Sequence, residues 1–162
     1  MRLFFLTIFF AALCGATATI DGASPFYLTS NYFSSAYPLF VRGAKTSFMT
    51  FDGKNRKIFF PANDIPVIMI SPGKTLRMQN VTLVGFRPAH VNLQSPSSQL
   101  LFGEGVCWEL ESDLDFAKTM TVIGSLTVQG NGRVLAFADS KSLKVADKAS
   151  LELKNCKIKG VG

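Results

Sequence analysis

Ile70-Ser-Pro-Gly-Lys-Thr-Leu-Arg-Met-Gln-Asn-Val-Thr-Leu-Val-Gly-Phe86 has a counterpart in Val145-Ala-Asp-Lys-Ala-Ser-Leu-Glu-Leu-Lys-Asn-Cys-Lys-Ile-Lys-Gly-Val161. Leu76, Met78, Asn80, Val81, Leu83 and Gly85 fall on Leu151, Leu153, Asn155, Cys156, Ile158 and Gly160, all at one constant offset. Upstream, Thr50–Phe60 matches Thr127–Phe137 at a slightly larger offset, with Arg56 falling on Arg133. Two copies in the same order, residues 46–86 and 110–162, mark a duplicated solenoid, and long-period self-similarity takes precedence over local propensity in reading such a chain.

The asparagines specify the local geometry. Leu151 and Leu153 share one face of a strand, since side chains alternate with period two. A straight continuation would bury Asn155 and expose Cys156 and Ile158. A bend at Asn155 returns both apolar residues to the core, and Asn tolerates the left-handed conformation that a one-residue corner needs. The same slip of parity occurs at Asn80, between Leu76/Met78 and Val81/Leu83. Asn80-Val81-Thr82 also reads as a glycosylation acceptor, but the corner accounts for Asn80 more economically.

Helical periodicity is nearly absent elsewhere, and short alternating runs dominate. Strands are expected near 108–116, 119–123, 125–128, 133–137, 142–145, 150–153 and 156–159. They are separated by Gly124, Gly130-Asn131-Gly132, Asp139-Ser140, Asp147-Lys148 and Asn155. Leu151–Gly160 and Gly124–Leu135 resemble the coil phrases of right-handed parallel β-helices, the pectate-lyase-like superfamily, and the chain is similar to repetitive bacterial surface proteins of the autotransporter-passenger type. That resemblance covers residues 45–162 and implies a right-handed parallel β-helix of five or six short coils, exported to the periplasm, cell surface or medium. At roughly 20–30 residues per coil, one copy-to-copy interval would hold three coils.

Around this core, residues 1–18 read as a signal peptide: Arg2 gives the positive start, Leu3–Leu13 the apolar run, and Ala16-Thr17-Ala18 the small-residue cleavage site. The run is too short to span a bilayer, so no transmembrane segment is expected after cleavage. Residues 19–45, rich in aromatics (Phe26, Tyr27, Tyr32, Phe33, Tyr37, Phe40), are expected to cap the stack or to form a degenerate coil. Residues 87–98, with Pro88, Pro96 and a serine cluster, are expected to protrude as a loop. The last coil carries no polar cap, and an open β edge invites pairing, so end-to-end self-association is expected.

The net charge of +6 is dispersed. Lys141, Lys144, Lys148, Lys154, Lys157 and Lys159 alternate with apolar residues, as on the wet face of a sheet, and no dense basic block with stacking aromatics points to nucleic acid. Cys107 and Cys156 remain after cleavage and read as two buried thiols in preference to a bridge.

Glu109, Glu111, Asp113 and Asp115 alternate with Leu110, Ser112, Leu114 and Phe116, so on one strand four carboxylates would line a face at about 6.8 Å spacing and offer oxygen ligands to Ca2+. A solvated acidic flank explains the same pattern without an ion. His90 is the single histidine, which excludes multi-histidine zinc sites, and it is expected in a loop before a strand. No residue set stands out as catalytic or cofactor-binding. The expectation is therefore a non-catalytic structural and interaction solenoid with a protein or polysaccharide partner. The alternative is a carbohydrate-active, polysaccharide-lyase-like enzyme on the same fold, recognisable by carboxylates and Arg or Lys converging in one groove.

Overall fold

The computed structural model describes residues 18–22, 24–34, 38–43, 46–116, 118–137 and 143–160. The expected signal segment before Ala18, together with Tyr37 and Lys141, lies outside the described residues. In chain order the strands are β1 (Ala18–Ile20), β2 (Phe26–Tyr27), β3 (Tyr32–Phe33), β4 (Leu39–Val41), β5 (Phe48–Phe59), β6 (Ile68–Ile70) and β7 (Thr75–Val84). A 3-10 turn at Pro88–His90 precedes β8 (Val91–Leu93), β9 (Gln99–Phe102), β10 (Val106–Glu109), β11 (Leu114–Phe116), β12 (Met120–Val122) and β13 (Ser125–Gln129). The remainder is β14 (Val134–Phe137), β15 (Leu143–Val145), β16 (Ser150–Lys154) and β17 (Lys157–Lys159).

Every described ladder is parallel, and the strands stack into a β-solenoid of about five turns. The first face is β1-β4-β6-β8 and, after a break, β11-β14-β17. The second face runs from β2 through the first halves of β5 and β7 to β9, β12 and β15. The third runs from β3 through the second halves of β5 and β7 to β10, β13 and β16.

Corners between faces are made by residues with positive φ. Between the second and third faces stand Asn55 (59°), Asn80 (49°), Gly105 (65°) and Lys148 (66°). At the next corner stand Gly85 (70°), Asn131 (52°) and Asn155 (51°). Asn80 thus lies inside the continuous β7 yet bends it, and Leu76, Met78, Val81 and Leu83 on both sides are at most 1% exposed. Asp52, itself buried, fastens this corner to the turn above: its carboxylate accepts from the Lys54 N–H at 2.9 Å, Gln79 Nε2 at 3.1 Å and Asn80 Nδ2 at 3.3 Å. Such charge-assisted bonds hold a buried carboxylate at little net cost.

Inward side chains form columns down the stack: Ile58, Leu83, Trp108, Val128 and Leu153 on the third face, Met49, Leu76, Leu100, Met120 and Leu143 on the second. Aromatic rings continue from turn to turn, Phe60 to Phe86 at 5.1 Å, Phe86 to Trp108 at 5.2 Å, Trp108 to Phe116 at 5.9 Å and Phe116 to Phe137 at 4.8 Å. Each such pair adds about 0.5–1.5 kcal/mol beyond burial.

The aromatic-rich N-terminal segment supplies β1–β4, with Leu28 and Tyr32 buried. Other expectations are corrected. Residues 87–98 do not protrude. They form the 3-10 turn, β8 and a β-turn closed by Ser98 N–H to Ser95 O, and this turn sits on the Ser71–Lys74 turn through Ser98 Oγ to Ser71 O and Gly73 N–H to Ser97 Oγ. Ser71-Pro72 and Ser95-Pro96 are one-turn equivalents, spaced in the chain like the paired Leu76 and Leu100. The thiols are free and only half-buried: Cys107 points outward between inward Val106 and Trp108, while Cys156 packs against the edge of the core. Burial raises both thiol pKa values, with the Glu109 charge adding to the effect at Cys107.

Candidate functional site

The first face is broken where turn length changes. On the third face the turn from Trp108 to Val128 is several residues shorter than the turn from Leu83 to Trp108. In the wider turns the chain makes long excursions before regaining the first face, through residues 60–67 before β6 and 85–90 before β8. The short turn has no residues to spare for one, and β11 starts directly after residues 110–113. Among the described residues β8 pairs only with β6 and β11 only with β14, leaving a step in the wall of the solenoid.

A cleft of about 390 Å³ occupies that step, lined by Asp64, Arg87, Pro88, Ala89, Asp113, Leu114, Asp115 and Lys118. Three successive turns contribute. Arg87 donates from Nη1 to Asp64 Oδ1 and from Nη2 to Ala62 O, both at 2.8 Å, tying one excursion to the next. Its Nε is buried without a protein acceptor. Lys118 Nζ donates to Val91 O at 2.7 Å, so an ammonium covers a carbonyl on the open edge of β8. Asp113 Oδ1 accepts from the Val134 N–H at 2.9 Å, and Asp115 faces solvent from β11. Pro88, Ala89 and Leu114 supply an apolar surface between these charges.

His90 stands behind the cleft, fully buried and stacked on Phe60 with centroids 5.1 Å apart. Its Nδ1 accepts from the Arg87 N–H at 3.0 Å, and Nε2 lies 2.9 Å from Asn63 O. A carbonyl requires a donor, so this pairing fixes the neutral ring as the Nε2–H tautomer. Burial lowers the His90 pKa below the usual histidine value; the Asn63 carbonyl opposes this, Arg87 adds to it, and Asp64 opposes it. The ring belongs to the scaffold of the cleft: His90 stands in the turn directly before β8, where the sequence places it, with its side chain buried.

The row of four carboxylates is not formed, because the run 108–116 divides between two faces. Glu109 ends β10 and meets Lys57 Nζ with both oxygens at 2.9 Å. Glu111 lies exposed in the following turn, and only Asp113 and Asp115 reach the cleft. Among the described residues no three His, Cys, Asp or Glu side chains group closely enough to hold a metal ion. Asp64, Arg87 and Lys118 escaped the sequence reading. They are distant from one another in the chain, and only the stacking register brings them together.

Arg56 and Arg133 are exposed and lie outside the cleft. Chemically, the cleft offers carboxylate acceptors alternating with ammonium and guanidinium donors over an apolar floor. Such a surface suits a polar, hydrogen-bonding ligand. No protein-family model, curated protein or solved structure matches this chain.

Proposed function

We propose that the chain is an exported, non-catalytic structural and interaction module of the pectate-lyase-like β-helix type, acting at a cell surface or outside the cell. In this reading the stepped cleft is where a protein or polysaccharide partner seats. The supporting observation is the convergence of Asp64, Arg87, Asp113, Asp115 and Lys118, from three turns, where the first face is interrupted among the described residues. Long parallel faces give a rigid frame for such a site. Among the described residues β15, β16 and β17 each pair along one edge, and in this reading their other edges, with Ile158 63% exposed between Lys157 and Lys159, are a second contact surface, suited to a further β layer.

The test is binding of the purified chain to immobilised cell-surface polysaccharides and surface-protein extracts, with Asp115→Ala and Lys118→Ala beside it. Binding weakened at least tenfold in both variants, with folding intact, supports the reading. Binding equal to the parent chain places the contact elsewhere.

The same convergence of carboxylates with Arg87 and Lys118 favours a second reading, a polysaccharide-lyase-like enzyme, in which a basic side chain removes a proton beside the scissile bond. Formation of unsaturated chain ends from acidic polysaccharides in Ca2+ buffer, lost in Lys118→Ala, would select it over the binding module.

A further inference from the structure

The geometry points to an acid-sensitive latch: His90 holds the two excursions that wall the cleft, and protonation of its Nδ1 releases them. The ring lies between the two walls. Nε2–H donates to Asn63 O in the excursion before β6, and Nδ1 accepts the Arg87 N–H in the excursion before β8. Both bonds depend on one tautomer. A proton added at Nδ1 consumes the lone pair that binds Arg87, and the Arg87 N–H then faces another N–H.

The new charge would be fully buried, and a buried charge without a partner is costly. Its closest charged neighbours are Arg87, which repels it, and Asp64, which attracts it but is already engaged by Arg87 Nη1 at 2.8 Å. The Pro61 and Asn63 carbonyls also favour the charged ring, but burial outweighs them, and Phe60 and Phe86 offer it no hydrogen bond. The local way out is for the 3-10 turn at Pro88–His90 to swing the imidazolium to water. That movement separates Arg87 from Asp64 and Ala62 and opens the cleft wall, whatever the cleft binds. Trp108 and Val128 in the third-face columns share none of these bonds, so the stack itself is not required to unfold.

The experiment uses the whole chain, in which His90 is the only histidine. Nitrogen-15 NMR reads its tautomer and titration, and hydrogen exchange, corrected for intrinsic rates, reads amide protection. The expected result is the Nε2–H tautomer at neutral pH. As the ring protonates, protection of the Arg87 amide should fall at least tenfold, with the Trp108 and Val128 amides unchanged. His90→Gln keeps one acceptor and one donor but does not titrate, and should hold the Arg87 amide protected in acid. His90→Phe keeps the stack without either bond, and should leave that amide unprotected at neutral pH. An Arg87 amide that stays protected through the titration overturns the latch. So does loss of protection at Arg87, Trp108 and Val128 together, which would be global unfolding.

Discussion

Leu151 lies three turns along from Val81, not from Leu76. The register passes from Val81 to Val106, to Leu126 and to Leu151, while Leu76 belongs to the neighbouring face and stacks on Leu100. The match of Leu76 to Leu151 in the sequence therefore spans three turns plus the short stretch that leads around one corner from Leu76 to Val81. Asn80 and Asn155 turn adjacent corners of the coil. Their surroundings resemble each other because each corner imposes the same demands: a left-handed residue, then inward side chains restarting one position later.

Asn80 combines two roles, a φ of 49° and a bond to Asp52. Alanine there meets left-handed strain of about 1–2 kcal/mol and loses a hydrogen bond worth about 0.5–1.5 kcal/mol. Asn80→Ala should lower unfolding stability by about 2–3 kcal/mol in urea titration, and Asn80→Gly by roughly half of that. Equal effects of the two substitutions would contradict a left-handed corner.

The sequence displayed what is local. Parity slips at Asn80 and Asn155 specified corners, and alternation around Leu76, Met78, Val81 and Leu83 specified the buried face. The run 108–116 misled because Leu110 and Leu114 are both buried, so one strand and two strands joined by a corner have the same alternation. The one-turn repeat of Ser71-Pro72 and Ser95-Pro96 was present in the sequence, but unequal turns hid its period. The cleft was not legible: its position follows from one short turn, and its residues meet only through register.

Gly124 sits against the turn before it. A Cβ there would lie 2.4 Å from Gly103 C and 2.5 Å from Glu104 N, both backbone atoms. Gly124→Ala must push two turns apart and should cost about 3 kcal/mol or more, at the upper end of overpacking effects. Gly160→Ala, where nothing lies within 4 Å, should change stability by less than about 0.5 kcal/mol. Thermal unfolding of the two variants measures the contrast.

Asp52 makes stability depend on acid. Burial alone would raise its pKa, but bonds from Lys54, Gln79 and Asn80 and the Lys54 charge bring it below 3.8. The unfolded chain then takes up the proton first. The contribution is complete above pH 3.8 and is lost as pH falls through the lower folded value. Asp52→Asn should be less stable than the parent at pH 6, and the difference should shrink as acid is added. A gap that stays constant down to pH 2 would show that Asp52 does not carry this proton linkage.

Stability should grade along the stack. Leu83 is fully buried between turns, whereas Ile158 on the last strand is 63% exposed. Leu83→Ala should cost about 2–5 kcal/mol, and Ile158→Ser less than about 0.5 kcal/mol. Chemical denaturation of each variant decides whether the last turn contributes this little.

The stacking register can be measured directly between Lys57 and Glu152, outward residues of one row that passes through Thr82, Cys107 and Thr127. Four steps of about 4.8 Å place their backbones about 19 Å apart. With Cys14, Cys107 and Cys156 replaced by serine and spin labels at positions 57 and 152, pulsed electron resonance should give one narrow distribution centred close to that four-step separation. A broad distribution, or one centred at half as much again or more, would contradict the parallel stack and the cleft built on it.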